Sequence, residues 1–299
     1  MNKFKGLGVA MVTPFQENGD IDFPALEKLT EFLIKGKTDY LVVQGTTGES
    51  PVLSHEEKQQ VLDTVCKVNN ARIPVVFGIG GNNTASVVSD ILSYDLTKVD
   101  GILSASPYYN KPTQNGIYAH YEAIAGATNL PIIVYNVPGR TSSNILAETT
   151  IRLATDFANI VAVKEASGNM EQIMEIIQNK PKDFLVISGD DAITLPILAC
   201  GGDGVISVVG NAFPHQFSTM VHAAMTDDMA KAREYHYGVL PIVAPLFKEG
   251  NPGGIKEALA ELDVTKNHLR LPLVNVSNEL RNEIQALTRN IYKRFPYQN

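Results

Sequence analysis

The chain of 299 residues has no tryptophan, two cysteines and no long apolar run. The missing tryptophan argues against a sugar-cleaving cleft, which stacks its rings on broad aromatic platforms. Cys66 and Cys200 stand in no CxxC pair and lie among apolar residues in segments that read as helix. They are expected to be buried, reduced thiols rather than a redox couple or a zinc site. No segment reaches the ~18 apolar residues of a membrane helix. The run from Leu7 to Val12 is too short for a signal peptide and is stopped by Thr13 and Pro14. A soluble, cytoplasmic protein without a membrane partner is expected. Basic character is also missing. The 25 Lys and Arg against 32 Asp and Glu leave a net charge of −7, which disfavours a nucleic-acid partner. The six histidines form no HxH or HExxH, so no catalytic metal is expected.

What is present is a repeating alternation. Apolar residues make up 44% of the chain, enough for a sizeable core. Short β-rich runs occur at 7–12, 40–43, 74–78, 101–104, 131–135, 160–164, 184–188 and 204–208. Most are nearly continuous Val, Ile or Leu, as parallel strands covered on both faces require. Amphipathic stretches separate them. Ser54 and Glu57 make a capping box ahead of Val61, Leu62, Val65 and Cys66. Val87, Val88, Ile91 and Leu92, then Met170, Ile173, Met174 and Ile177, repeat the spacing.

Eight strand-then-helix units predict an α/β fold, a (β/α)8 TIM barrel. The rival, an open doubly wound sheet, would carry a GxGxxG after its first strand, where this chain has Thr13, Pro14 and Phe15. After Ala224 the strand signals stop and helical patterns run through 231–246, 254–262 and 277–292. The expected organisation is a barrel over 1–224 carrying the active site, with a C-terminal helical domain over 225–299.

A TIM barrel works at the C-terminal ends of its strands. Lys164 directly follows Ile160 to Val163 and should stand at an apolar rim. There it loses hydration, which disfavours its charge and frees the amine to attack a carbonyl. It could equally pair with a barrel carboxylate such as Glu49 or Glu165. Tyr135 ends the neighbouring strand, either as a proton shuttle for the amine or as a packed rim aromatic. Thr46 and Thr47, in a Gly-Thr-Thr-Gly turn, could bind a carboxylate or simply shape the turn. Arg140 could clamp a carboxylate or make a surface ion pair. Glu49 and Glu165 as a glycosidase couple would need the aromatic platforms that are lacking. His120, Tyr121 and Glu122 read as a helix surface, and Gly201 to Gly204 as a turn.

Several motifs stand in one order: Gly45-Thr46-Thr47-Gly48-Glu49-Ser50, Tyr108-Tyr109-Asn110-Lys111-Pro112, Tyr135 to Thr141, Val163-Lys164-Glu165 and Gly204-Val205-Ile206-Ser207. Over essentially the whole chain this resembles the dihydrodipicolinate synthases, within the superfamily of N-acetylneuraminate lyases and class I pyruvate aldolases. The resemblance implies that Lys164 forms a Schiff base with pyruvate, whose enamine attacks L-aspartate 4-semialdehyde, with no cofactor. Thr46, Tyr109 and Tyr135 match the family's proton relay, and Tyr109 the residue that reaches into a neighbouring subunit. Thr47 matches the ligand of the pyruvate carboxylate and Arg140 that of the semialdehyde carboxylate. Gly189 and Ile206 match backbone positions lining the pocket. The implied assembly is a homo-oligomer, a tetramer built as a dimer of dimers.

N-acetylneuraminate lyases and keto-deoxy-sugar-acid aldolases share the lysine and tyrosine, so they are the nearest alternatives; Arg140 points away from them. A non-catalytic keto-acid binder on the same barrel would leave the relay without purpose. Ser50, His55, Asn82 and Tyr108 match the family's lysine-inhibition site. Lys58 and Ser86 depart from it, replacing a histidine and a glutamate, and Pro51 stands where a small residue is common. Feedback inhibition by lysine is therefore expected to be weak or absent.

Overall fold

The computed structural model describes residues 3–297. Eight strands alternate with helices, two of which lie between the fifth and sixth strands. They are β1 (Gly6–Ala10), α1 (Phe23–Lys35), β2 (Tyr40–Val43), α2 (His55–Asn69), β3 (Val75–Gly78) and α3 (Thr84–Ser93). Next come β4 (Gly101–Ala105), α4 (Gln114–Gly126), β5 (Ile132–Asn136), the single-turn α5 (Pro138–Thr141) and α6 (Ala147–Asp156). Then follow β6 (Ile160–Glu165), α7 (Met170–Asn179), β7 (Leu185–Ser188), α8 (Thr194–Ala199), β8 (Gly204–Ser207) and α9 (Pro214–Met225). Three further helices complete the chain: α10 (Met229–Phe247), α11 (Gly253–Glu261) and α12 (Asn278–Arg294).

All strand pairs are parallel, and β8 returns to β1, closing the barrel. Alternation along each strand divides the buried side chains into two cores. Ala10, Tyr40, Val42, Leu103, Ile133, Ala162 and Ile187 fill the barrel, with Phe4 packed edge-on against Tyr40. Gly8 makes room for Tyr40, because a Cβ there would lie 2.3 Å from its ring. Leu7, Val9, Leu41, Val75, Ile132, Val163 and Val186 point outward against the helices.

Local signals set several boundaries. The capping box at Ser54 is formed in full, its hydroxyl accepting from Glu57 N while the Glu57 carboxylate accepts from Ser54 N. Asn83, Asn169 and Ser277 cap α3, α7 and α12 with side-chain oxygens.

Two expectations are corrected by packing. Cys66 is buried, but Cys200 is exposed, because it follows the last turn of the short α8 at the end of its apolar face. His120 and Tyr121 are not a helix surface. Both face inward, with Tyr121 Oη donating to Ser104 O at 2.8 Å and His120 Nδ1 2.8 Å from Thr84 Oγ1. The inward stripe of α4 runs through Ile117, Tyr121 and Ile124, and His120 adjoins it at the flank facing α3.

Candidate active site

Lys164 lies in β6 on the same face as Ala162, so strand parity turns it into the barrel mouth. It is 5% exposed. Its outward neighbour Glu165 points the other way, accepting from Asn136 Nδ2 at 3.0 Å, Gln172 Nε2 at 3.0 Å and Ser167 N at 2.7 Å. Glu49 is held by Lys256 Nζ at 2.5 Å. Neither Glu49 nor Glu165 is therefore paired with Lys164. The Lys164 amine sits 4.2 Å from the centroid of the Tyr135 ring, its ladder partner on β5.

Above the amine opens a cavity of about 430 Å³, lined by Thr46, Thr47, Tyr135, Arg140, Lys164 and Gly189 among others. Gly189 touches it through backbone, since a Cβ there would approach Lys164 Cε to 3.1 Å and Ala166 Cβ to 2.7 Å. The absent side chain leaves the lysine its room. Thr46 to Gly48 form a 3-10 turn closed by Glu49 in the left-handed conformation, φ 55°. Arg140 projects from α5, whose first turn Pro138 starts, and enters no ion pair among the described residues. Thr46, Tyr135 and Arg140 also border a second cavity of about 360 Å³, which reaches Ser50, Pro51 and Tyr108.

The structure thus brings together six residues expected at the site. Ile206 lies in the barrel interior, 1% exposed, and Val208 takes the rim position beyond it. Tyr109 borders neither cavity; it is 87% exposed at a left-handed backbone position, φ 71°. Of the inhibition-site matches, Ser50 and Tyr108 share the second cavity. Asn82 is half-buried and borders neither cavity. His55 stacks on Tyr94 with centroids 4.0 Å apart, its Nε2 2.9 Å from Ser93 Oγ. Burial pushes the Lys58 ammonium below its usual pKa, against the attraction of Asp90.

Other site residues escaped sequence reasoning. Asp191 lines the cavity with its carboxylate accepting from Ser207 Oγ at 2.5 Å, Val208 N at 3.0 Å and Val209 N at 3.1 Å. Burial pushes its pKa up to about 6 in spite of those bonds. Its place directly after Gly189 and Asp190, beyond a strand end, was the available signal. Val243, Phe247 and Asn251 line the cavity from α10 and the segment after it, where nothing local marks them.

The fold and this rim have close counterparts. A model of the dihydrodipicolinate synthetase family matches residues 3–291. The 4-hydroxy-tetrahydrodipicolinate synthase of Flavobacterium psychrophilum is 48% identical over 98% of this chain and 100% of its own. The dihydrodipicolinate synthase of Aquifex aeolicus superposes with a TM-score of 0.92 at 41% identity, over 99% of this chain and 100% of that one. The chloride-inhibited enzyme of Acinetobacter baumannii, solved with pyruvate, gives 0.93 at 37% identity over 96% and 98% of the two chains. Similarity of this extent leaves one assignment: the chain belongs to the dihydrodipicolinate synthetase family.

Proposed function

We propose that Lys164 is the amine that carries pyruvate as a Schiff base. The chain's activity is that of a 4-hydroxy-tetrahydrodipicolinate synthase, an aldolase-type lyase of diaminopimelate and lysine biosynthesis. The observation carrying the assignment of Lys164 is an almost fully buried amine that opens on a cavity and, among the described residues, has no carboxylate partner.

The amine adds to the keto carbon of pyruvate and water leaves, giving the imine. Loss of a methyl proton gives the enamine, whose carbon attacks the aldehyde of L-aspartate 4-semialdehyde, and the aldehyde oxygen takes a proton. The product's own amine then closes on the imine carbon and expels Lys164. Tyr135, Thr46 and Tyr109 move the protons, Thr47 takes the pyruvate carboxylate, and Arg140 takes that of the semialdehyde. Gly189 and the Ile206 backbone shape the pocket. Arg140 enters no ion pair among the described residues and has the cavity position that a bidentate carboxylate clamp needs.

Tyr109 serves the site of a neighbouring copy, in a homotetramer of two dimers. Its exposure and its absence from the walls of its own chain's two cavities support this. Of the described residues, those up to 224 form the barrel unit and those from 225 onward the helical one. Among the described residues no helix is long and apolar enough to cross a membrane, in keeping with work in the cytoplasm. Lysine inhibits weakly or not at all, because Lys58 and Ser86 supply no carboxylate for its ammonium and His55 is already engaged.

A coupled assay tests the reading: pyruvate and L-aspartate 4-semialdehyde with added dihydrodipicolinate reductase, following NADPH. Turnover that falls by about 10³-fold or more in Lys164→Arg is the expected outcome. Activity only on sialic acid or sugar keto-acids would overturn the substrate assignment.

A further inference from the structure

We propose that Asn251 and the buried Glu49–Lys256 pair position the Thr46–Thr47 turn, so that the C-terminal segment sets the affinity of the site for a keto-acid carboxylate. The inference rests on the reading that Thr47 meets that carboxylate.

A threonine hydroxyl has one proton to give and can also accept. Asn251 Nδ2 donates to Thr47 Oγ1 at 3.0 Å. Because Thr47 accepts there, its own proton is free for an anion in the cavity. Asn251 is 7% exposed and lines the same cavity, so its amide is a fixed part of the wall. Its Oδ1 has no hydrogen-bond partner among the described residues. The bond to Thr47 is therefore the amide's one hydrogen bond among the described residues.

The turn itself is under constraint. Glu49 closes it at φ 55°, a conformation that residues other than glycine adopt only when neighbours enforce it. Its two carboxylate oxygens are taken by Lys256 Nζ at 2.5 Å and Arg270 N at 3.2 Å. The side chains of Lys256 and Glu49 are 0% and 1% exposed. Lys256 also donates to His268 O at 2.8 Å and lies 4.3 Å from the Phe15 ring centroid. Arg270 stands over the same ring at 4.6 Å and donates to Val52 O at 2.9 Å, just beyond the turn. From the barrel side, Thr13 Oγ1 donates to Gly48 O at 2.7 Å.

A buried pair of this kind is a poor source of stability, because desolvation offsets the attraction. Burial indeed pulls Lys256 down to a pKa of about 8 even with Glu49 beside it. What the pair supplies is a single arrangement of a strained turn. Thr47 directly precedes two of these fixed points, Gly48 and Glu49.

The test is the pyruvate concentration that half-saturates borohydride trapping on Lys164, read by intact mass, with a thermal melt for each variant. Asn251→Ala removes the donor and is expected to raise that concentration about tenfold. Asn251→Asp presents an acceptor instead, draws the Thr47 proton away from the cavity, and is expected to raise it further. Glu49→Gln with Lys256→Met removes both charges together and should match Asn251→Ala. Unchanged half-saturation in folded Asn251 variants overturns the inference, as does Asn251→Asp behaving no worse than Asn251→Ala. If the double variant does not fold, the Asn251 pair decides alone. Wild-type protein that pyruvate and borohydride leave unmodified would overturn the Schiff-base reading itself, a result distinct from a failure of the positioning residues.

Discussion

Lys164 and Tyr135 are ladder partners on β6 and β5, and the amine rests 4.2 Å from the centroid of the tyrosine ring rather than hydrogen-bonded to its hydroxyl. The ring face offers a cation partial compensation without neutralising it as a carboxylate would. The pair therefore separates two duties of one side chain. Under the proposed mechanism the ring holds the amine and the hydroxyl serves proton transfer. Tyr135→Phe keeps the first and deletes the second. Pyruvate trapping on Lys164 should survive, while turnover falls by about 10²-fold. Loss of trapping itself would mean that the hydroxyl is needed to form the imine at all.

Arg140 carries a charge that no neighbour neutralises among the described residues. Arg140→Ala should raise the KM for L-aspartate 4-semialdehyde and lower kcat/KM by about 10²-fold. Pyruvate trapping should persist. If the substitution abolished trapping, the guanidinium would belong to the pyruvate half of the site.

Gly189→Ala places a methyl 2.7 Å from Ala166 Cβ and 3.1 Å from Lys164 Cε. Overpacking of this kind costs about 1–3 kcal/mol. A lowered melting temperature with slower trapping is expected. A lower melting temperature with normal trapping would show that the lysine does not need the space.

Tyr109 is 87% exposed, so Tyr109→Phe should leave the melting temperature unchanged. Turnover should fall by about 10- to 100-fold, and dilution below the assembly threshold should produce the same defect in wild-type protein. Full activity in Tyr109→Phe, or in a dilute monomer, would remove the shared-site proposal.

His120 gives a pH test of the fold. Burial pushes its pKa down to about 4, below the ordinary 6.5. Between these values the unfolded chain binds a proton that the folded one refuses. Stability is therefore full above about pH 6.5 and is lost as the pH falls toward 4, by about 3 kcal/mol. The melting temperature of His120→Asn should fall less over that window than that of wild type. Equal slopes would assign the acid sensitivity to other groups.

Much of the barrel was legible because its code is short-range. Parallel strands covered on both faces read as Val- and Ile-rich runs, and the helices between them announce themselves by caps such as Ser54 and by one apolar stripe. Parity along β6 was enough to turn Lys164 inward, and strand order was enough to set Tyr135 beside it. His120 and Cys200 were misread because each stands at the edge of an apolar stripe, where a neighbouring element decides exposure. For His120 that element is α3; Cys200, just past the last turn of α8, is left exposed.

By itself, then, the sequence determined the order of strands and helices, the rim positions of Lys164, Tyr135 and Arg140, and the family. Only the tertiary structure decided which partner each charge would take. Glu49 could as well have met Lys164; closure of the barrel and the return of α11 gave it Lys256, 207 residues away. The same return brought Asn251 to Thr47 across 204 residues. Such pairs leave no period or spacing in the chain, because they depend on where whole elements come to rest and not on the geometry of any one of them.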